Sequence, residues 1–452
     1  MSDIPSMLHP AQPIPDAGGR TRNVGEVFRD VPLTRTHLQC CLVLFFVFAI
    51  EAWEMMIIVY TAPLIAAEFA LDALAVGHLI GAMFIGMLVG ALAWGKVAER
   101  IGRKHAIVWS LGTYGAISLA SAFAPDYSTL YALRLLSGVA AVGMMVVTFA
   151  HFQELLPVRH RGALTVYLAS GWPVGMLLAL GATVWLLPYG WRAIIVLSSL
   201  GGLWAIAVAR WVPESPYWLA SMDRQADARA TINRLSQGTV QIPQSHTLQV
   251  DRSVAGSQRA LFSRVLLKVS LLQITVNFTF SWGYWGLQTW LPTLLQQRGL
   301  SLPQSYGFIA LSALCMIPGY MAASYLTGRL GRKKVIVTFI SASVLAGYGF
   351  ANAQTLEMLY LSNFALAFFS LGAWGVWGAW IGELYPTPLR TVGYGWAIFA
   401  QRVANVLAPS LIGALIAYGS SFNLTTTIIN GFLLVTVILV VFIPETEGEA
   451  LR

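Results

Sequence analysis

The sequence predicts an all-α polytopic membrane protein with twelve transmembrane helices in two homologous six-helix bundles. Three observations predict it. Of 452 residues, 57% are hydrophobic and only 11% charged, where soluble globular chains carry about 25% charged residues. Twelve apolar runs each approach the roughly 20 residues that a helix needs to cross a bilayer. The first six runs and the last six also share motifs at one constant spacing.

In order, the runs fall at 38–66, 75–97, 104–123, 128–153, 162–187 and 191–212, then at 265–295, 304–327, 335–352, 357–384, 391–418 and 423–443. Between the two sets lies the only long polar insertion, 213–264, with Arg224, Arg229, Arg234, Arg252, Arg259 and Arg264. Residues 1–37 are polar, carry Pro5, Pro10, Pro13 and Pro15, and precede the first run, so they predict an N-terminal tail and no cleavable signal peptide. The stretch of that tail nearest the membrane, VGEVFRDVPLTRTHL from Val24, predicts a short interfacial helix. The expected division is therefore a cytoplasmic tail 1–37, a first bundle 38–212, a cytoplasmic central loop 213–264, a second bundle 265–443 and a cytoplasmic tail 444–452.

Basic residues orient these spans, because loops rich in Lys and Arg stay on the cytoplasmic side. An inside N-terminus places Lys96, Arg100, Arg103, Lys104, Arg159, Arg161, Arg329, Arg332, Lys333 and Lys334 in the cytoplasm and leaves Arg298 outside, with Arg192 at a border. The formal charge of +8 is then a property of inner loops and implies no nucleic-acid partner. Cys40, Cys41 and Cys315 all lie in apolar runs, which predicts free buried thiols. No phosphate-cradling GxxxxGK[ST] loop, zinc spacing or nucleophile elbow is present, so neither an enzyme, a metal nor a cofactor is expected. The expected setting is an inner or plasma membrane, with a monomer in the bilayer, a small-molecule substrate and protons.

The repeat is explicit. ERIGRKH from Glu99 returns as GRLGRKK from Gly328, and ELLPVRHRG from Glu154 returns as ELYPTPLRTVG from Glu383, both 229 positions on. Pro63 and Pro292 keep that spacing too. One offset held at separated places marks two homologous halves, the architecture of parallel-repeat transporters.

Chemistry inside the spans rests on few residues. Glu51 and Glu54 stand in the first run, where a carboxylate costs on the order of 2–3 kcal/mol to insert. Spaced i, i+3 they share a helix face, and two carboxylates so placed rarely both ionise. They fit a proton-coupling site, and the alternative is a structural ion pair with another helix. Arg134, about 9 Å into the fourth helix at 1.5 Å per residue, is within reach of Glu54 as packing partner or relay. Arg402, about 18 Å into the eleventh helix, sits at the depth of Glu51. A guanidinium there stays charged and offers a bidentate fork for a substrate carboxylate, or else it bridges to Glu51 or Glu54.

Trp282, Tyr284, Trp285, Gln288 and Trp290 in the seventh span, with Trp374, Trp377 and Trp380 in the tenth, offer flat faces, and Gln288 or Asn277 a directional hydrogen bond. Packing or an interface belt would use the same aromatics. Glu154, Glu383, Arg161 and Arg390 fall at inner helix ends, where charge pairs across the halves would hold an outward-facing state. His78 and His151 are lone histidines in apolar runs and are expected to serve packing.

These motifs resemble the major facilitator superfamily over residues 38–448. GKVAERIGRK from Gly95 is similar to its loop G-x-x-x-D-R-x-G-R-K, with Glu99 for the usual Asp; in the second copy Ser324 replaces the first Gly and Gly328 the acid. The resemblance implies gate roles for Glu99, Arg100, Arg103, Arg329 and Arg332, with the first copy the tighter cluster. RLLSG from Arg134, PESPYWL from Pro213 and PETEG from Pro444 narrow it to the branch of sugar porters and organic ion transporters. GYWGLQTWLPTLL from Gly283 and GAWGVWGAWIGELYPTPLRTVGYGW from Gly372 look most like bacterial niacin transporters and synaptic-vesicle-glycoprotein-like proteins. Aromatic acid:proton symporters of the superfamily have an acidic pair in helix one, and anion carriers of this branch tend to a basic residue in helix eleven. The resemblance therefore implies a secondary active transporter that imports a small aromatic monocarboxylate, nicotinate above all, with protons by alternating access. The alternatives are an organic cation or zwitterion carrier of the same fold, which Arg402 opposes, and a non-transporting receptor.

Overall fold

The computed structural model describes residues 21–250, 258–385 and 389–445. Strand β1 (Thr21–Asn23) opens it and runs parallel to β2 (Thr247–Gln249), with Thr21 opposite Thr247. Helix α1 (Val24–Asp30) follows, capped by Asn23, whose Oδ1 accepts from Gly25 N at 2.7 Å. It buries Val24, Val27 and Phe28, the last against the ring of Tyr217. The short helix expected before the first span is thus present, and the strand just before it pairs with the central segment, a contact that no composition or periodicity signals.

The first six spans are α2 (Arg35–Phe69), α3 (Ala73–Ile101), α4 (Arg103–Ser121) and α5 (Tyr127–Leu155), then two interrupted helices. The fifth span is α6 (Val158–Ala169) with α7 (Gly171–Leu186); the sixth is α8 (Gly190–Ser199), a 3-10 turn at Leu200–Leu203, and α9 (Trp204–Trp211). The central segment holds α10 (Pro216–Ser221), α11 (Gln225–Leu235) and α12 (Gln258–Leu261). The second six are α13 (Leu267–Gln297), α14 (Leu302–Leu330), α15 (Arg332–Ala351), α16 (Leu356–Glu383), α17 (Arg390–Ala417) and α18 (Phe422–Val440). Among the described residues nine stretches are long and apolar enough to cross a membrane, and one of them, Tyr167–Trp211, contains two spans. α4 and α13 complete the twelve. They fall short in hydropathy because α4 opens on Arg103, Lys104 and His105, and α13 turns Gln273, Asn277 and Ser281 into the protein.

The helix starts repeat as the motifs do. Asp72 and Asp126 cap α3 and α5 by accepting from the backbone N–H of Ala75 and Thr129, and Ser301 and Thr355, 229 residues later, cap α14 and α16 in the same way. Gly102 and Gly331 hold the sharp α3–α4 and α14–α15 turns at φ +97° and +88°, in the region that favours glycine. At Gly102 a Cβ would also stand 2.3 Å from Glu214 Oε2.

Close helix packing uses glycine, as it does where lipid gives helices no hydrophobic reason to associate. A Cβ at Gly86 or Gly138 would lie 1.9 Å from Leu135 O or 2.0 Å from Met83 O, so α3 and α5 touch backbone to backbone. The two halves meet in a comparable way. A Cβ on Gly77 of α3 would lie 2.4 Å from Pro409 O of α17, and one on Gly413 of α17 would lie 2.5 Å from Ala73 O. Nearby, Tyr306 of α14 donates to Tyr60 O of α2 at 2.5 Å. These contacts close the end of the bundle away from Arg103 and Arg332.

Candidate functional site

The carboxylates that share a face in the first span have different surroundings. Glu54 is fully buried, accepts from Arg134 Nη1 at 2.8 Å and from Ser137 Oγ at 2.6 Å, and has Ser198 Oγ at 3.4 Å from its other oxygen. Arg134 also donates to Ser121 Oγ at 2.6 Å, and Tyr114 donates to Ser198 O at 2.8 Å. Glu54 therefore belongs to a polar network joining α2, α4, α5 and α8. Glu51 is equally buried, and neither of its oxygens has a hydrogen-bond partner among the described residues. A buried polar group left this way is costly, on the order of 1–3 kcal/mol and more for a charged one.

Arg402 shows the complementary lack. It reaches from α17 across to the first half, where Nη2 lies 3.1 Å from Met145 Sδ and Nη1 3.8 Å from Met87 Sδ. Thioethers are weak acceptors. The guanidinium is 6% exposed and forms no ion pair with Glu51 or Glu54, although it and Glu51 attract each other electrostatically. A bridge between them is therefore absent in this conformation.

Ring contacts connect the surroundings of these groups. On α2, Phe48 precedes Glu51 by one turn and packs its ring 5.1 Å from Phe149 and 6.4 Å from Trp172. On the antiparallel α5, Met145 lies one turn before Phe149, which brings it to the level of Glu51. On α3, Phe84 lies one turn before Met87 and meets Trp285 edge-on at 5.1 Å; Trp285 in turn meets Trp172 at 5.7 Å. Contacts therefore run from Arg402 to Met87, one turn from Phe84, and from Phe84 through Trp285 and Trp172 to Phe48, one turn from Glu51, and most of them are between flat rings. Pro173 helps shape this run. Proline lacks the N–H that would bond residue 169, and the fifth span breaks at Ser170, which sets Trp172 beside Phe48 and Trp285.

The other expected ligands divide. Trp285 belongs to this run of contacts; Tyr284 meets it edge-on at 5.6 Å and stacks on Trp374 at 6.4 Å. Trp282 instead stacks on Phe432 at 4.6 Å, inside the second half. Gln288 lines a void with Asn363 and Asn430, also inside that half. Asn277 is committed to a network: its Oδ1 accepts from Trp377 Nε1 at 2.9 Å and Gln401 Nε2 at 2.6 Å, and its Nδ2 donates to Gln273 O. These four are not brought to Arg402: Asn277 and Trp377 bond each other, the Trp282 ring packs within the second bundle, and Gln288 faces a void there. Half of the aromatic wall comes from the first half instead. Asn405, one turn from Arg402, was not expected; with its amide turned to donate to Ser281 Oγ (2.8 Å) and Gln401 O (2.9 Å), its oxygen accepts from Trp285 Nε1 at 3.3 Å and holds that ring.

At the basic end Arg103 grips Glu154 with two nitrogens, at 3.2 and 3.3 Å. Glu214 Oε1 accepts from the N–H groups of Arg103 and Lys104, and Glu445 Oε2 accepts from Lys333 N at 3.0 Å in the second copy. The pairing expected for Glu154 across the halves is found within the first half, since Arg103 occupies both of its oxygens. Glu99 and Arg100 are exposed and form no ion pair among the described residues; Glu99 offers its carbonyl to Trp218 Nε1. Arg161 donates to Leu156 O at 3.3 Å, Arg329 lies over the Tyr325 ring at 4.5 Å, and Arg332 begins α15. The side chains of Glu383 and Arg390 lie outside the described residues. His151 bonds Pro213 O at 3.1 Å, as a packing histidine would, whereas His78 is exposed.

Twelve helices in two homologous halves are the architecture of secondary transporters. The chain belongs to the Major Facilitator Superfamily, whose family model matches residues 44–351 and 308–452. It is a multi-pass membrane transporter and not an enzyme. It is 30% identical over 429 residues to the niacin transporter NiaP of Acinetobacter baylyi, covering 94% of this chain and 97% of that one. It is 28% identical over 336 residues to the putative niacin/nicotinamide transporter NiaP of Bacillus subtilis, covering 74% and 78%. Among solved structures, the partially occluded inward-open xylose transporter XylE of E. coli superposes with a TM-score of 0.75 at 17% identity, covering 92% of this chain and all of that one.

Proposed function

We propose that the protein imports a small aromatic monocarboxylate, nicotinate first among them, together with protons. The observation that carries this reading is Arg402: a buried guanidinium of the second half whose nitrogens lie against two thioethers of the first. A substrate carboxylate would give it the bidentate partner it lacks, and Trp285 and Trp172 would take the ring. The niacin transporters among its relatives support the same substrate. Glu51, which Arg402 attracts electrostatically, is the group that takes up a proton as the acid enters, which removes the repulsion between two negative charges. Glu54 with Arg134 forms the relay behind it.

Basic loops put both termini in the cytoplasm and make the glycine-packed end of α3 and α17 the outer one. The conformation is then closed outside, and transport follows as one half rocks against the other around the fixed site. In the opposite state the Arg103–Glu154 region becomes a contact between halves.

Glu51, an acid without a partner, favours one further reading, an organic cation or zwitterion carrier. A thermal-shift panel of aromatic acids and amines on the purified protein separates the two. Stabilisation by nicotinate and benzoate-like acids supports the acid reading; stabilisation by amines alone ends it.

A further inference from the structure

We propose that the second half holds a buried water that bridges Gln288 of α13, Asn363 of α16 and Asn430 of α18. The three side chains line one void of about 20 Å³, whose other walls include the apolar Leu287, Phe350 and Leu433. A water needs roughly 10–15 Å³ and two to four polar partners, so a void of this size takes one. Asn430 donates through Nδ2 to Val344 O at 2.9 Å, and its Oδ1 is buried with no partner among the described residues. A Cβ on Gly347 would stand 2.3 Å from that oxygen, so glycine on α15 makes the room for it. Asn363 is buried and donates through Nδ2 to Ser312 Oγ, which leaves its own oxygen as an acceptor. Gln288 forms no hydrogen bond among the described residues and brings a donor. The count closes on water: its two hydrogens go to the Asn430 and Asn363 oxygens, and its oxygen accepts from the Gln288 amide. No charged side chain lines the void among the described residues, so a metal ion would meet only neutral oxygens there. Through Ser312 of α14 and Val344 of α15 the bridge reaches two further helices. One water then joins every helix of the second half except α17, a joint suited to a bundle that rocks as one body. It also gives Gln288 a task away from Arg402.

The test uses the purified full chain and two measurements. An experimental map of wild type that resolves buried waters should show a peak within hydrogen-bond distance of the Asn430 and Asn363 oxygens, with Gln288 turned towards it. A dry void in such a map overturns the proposal. So does a peak ringed by oxygens at about 2.3–2.6 Å, which would be a hard cation. The second measurement is pulsed X-ray radiolysis with mass spectrometry, in which hydroxyl radicals made from a bound water label the side chains beside it. Phe350 lines the void and is only 1% exposed, so wild type should carry label there through the internal water. Asn430→Leu removes one acceptor and fills space, and the label on Phe350 should be lost. An unlabelled Phe350 in wild type, or a label that persists in folded Asn430→Leu, overturns the bridge. If Asn430→Leu does not fold, Gln288→Leu takes its place with the same expected loss, and the wild-type map decides on its own if neither folds.

Discussion

A guanidinium whose closest acceptors are Met87 and Met145 has unused capacity for charged hydrogen bonds. Arg402→Ala should therefore weaken nicotinate binding about 10- to 100-fold, as follows from about 1.5–3 kcal/mol for hydrogen bonds to a charged group. Titration calorimetry reads this directly, and unchanged affinity would remove Arg402 from the site. Glu54→Gln keeps the shape of the Arg134 network and removes the relay carboxylate behind Glu51, so nicotinate exchange should persist in counterflow while accumulation driven by a proton gradient is lost. Accumulation at the wild-type level would assign coupling elsewhere. Glu51, Glu54, Arg134 and Arg402 were legible in the sequence because a charge in an apolar run needs a reason. Phe84, Phe149, Met87 and Met145 were not, since an apolar residue in an apolar run reads the same whether it faces lipid, core or substrate. The division of the carboxylates into one partnered and one orphaned depends on Ser137 and Ser198, which neighbouring helices bring in.

At the scale of helices, glycines make the testable distinction. Gly86 packs α3 on α5 within the first half, whereas Gly77 packs α3 on α17 between halves. Either position changed to Val forces the backbones apart, and overpacking costs about 1–3 kcal/mol. Gly86→Val should lower the melting temperature without favouring either conformation. Gly77→Val should open the far end, and an added cysteine at Ser410 should then react faster with an impermeant thiol reagent applied outside. Equal reaction rates with and without Gly77→Val would mean that this packing does not set the conformation. The number and order of spans could be read from apolar runs. Of the two breaks, at Ser170 and at Leu200–Leu203, hydropathy shows neither, but Pro173 in the sequence signals a kink at the first. They follow from Pro173 and from the approach of Gly115 and Gly202, where an added Cβ at Gly202 would stand 2.7 Å from Gly115 Cα.

For the whole molecule, the 229-residue offset extends from motifs to physical devices: the caps Asp72 and Ser301, and the turns Gly102 and Gly331. The symmetry fails in the buried charges of the spans, where Glu51 belongs to one half and Arg402 to the other. If basic loops set the orientation, a reporter fused after Arg452 is active only when its activity requires the cytoplasm; activity outside would invert the topology. The most direct test of a proton-coupled acid importer is uptake of labelled nicotinate into proteoliposomes under an imposed inward proton gradient. The expected result is transient accumulation by wild type that a protonophore collapses and that Arg402→Ala abolishes. Accumulation that ignores the protonophore, or that survives in Arg402→Ala at the wild-type rate, would contradict it.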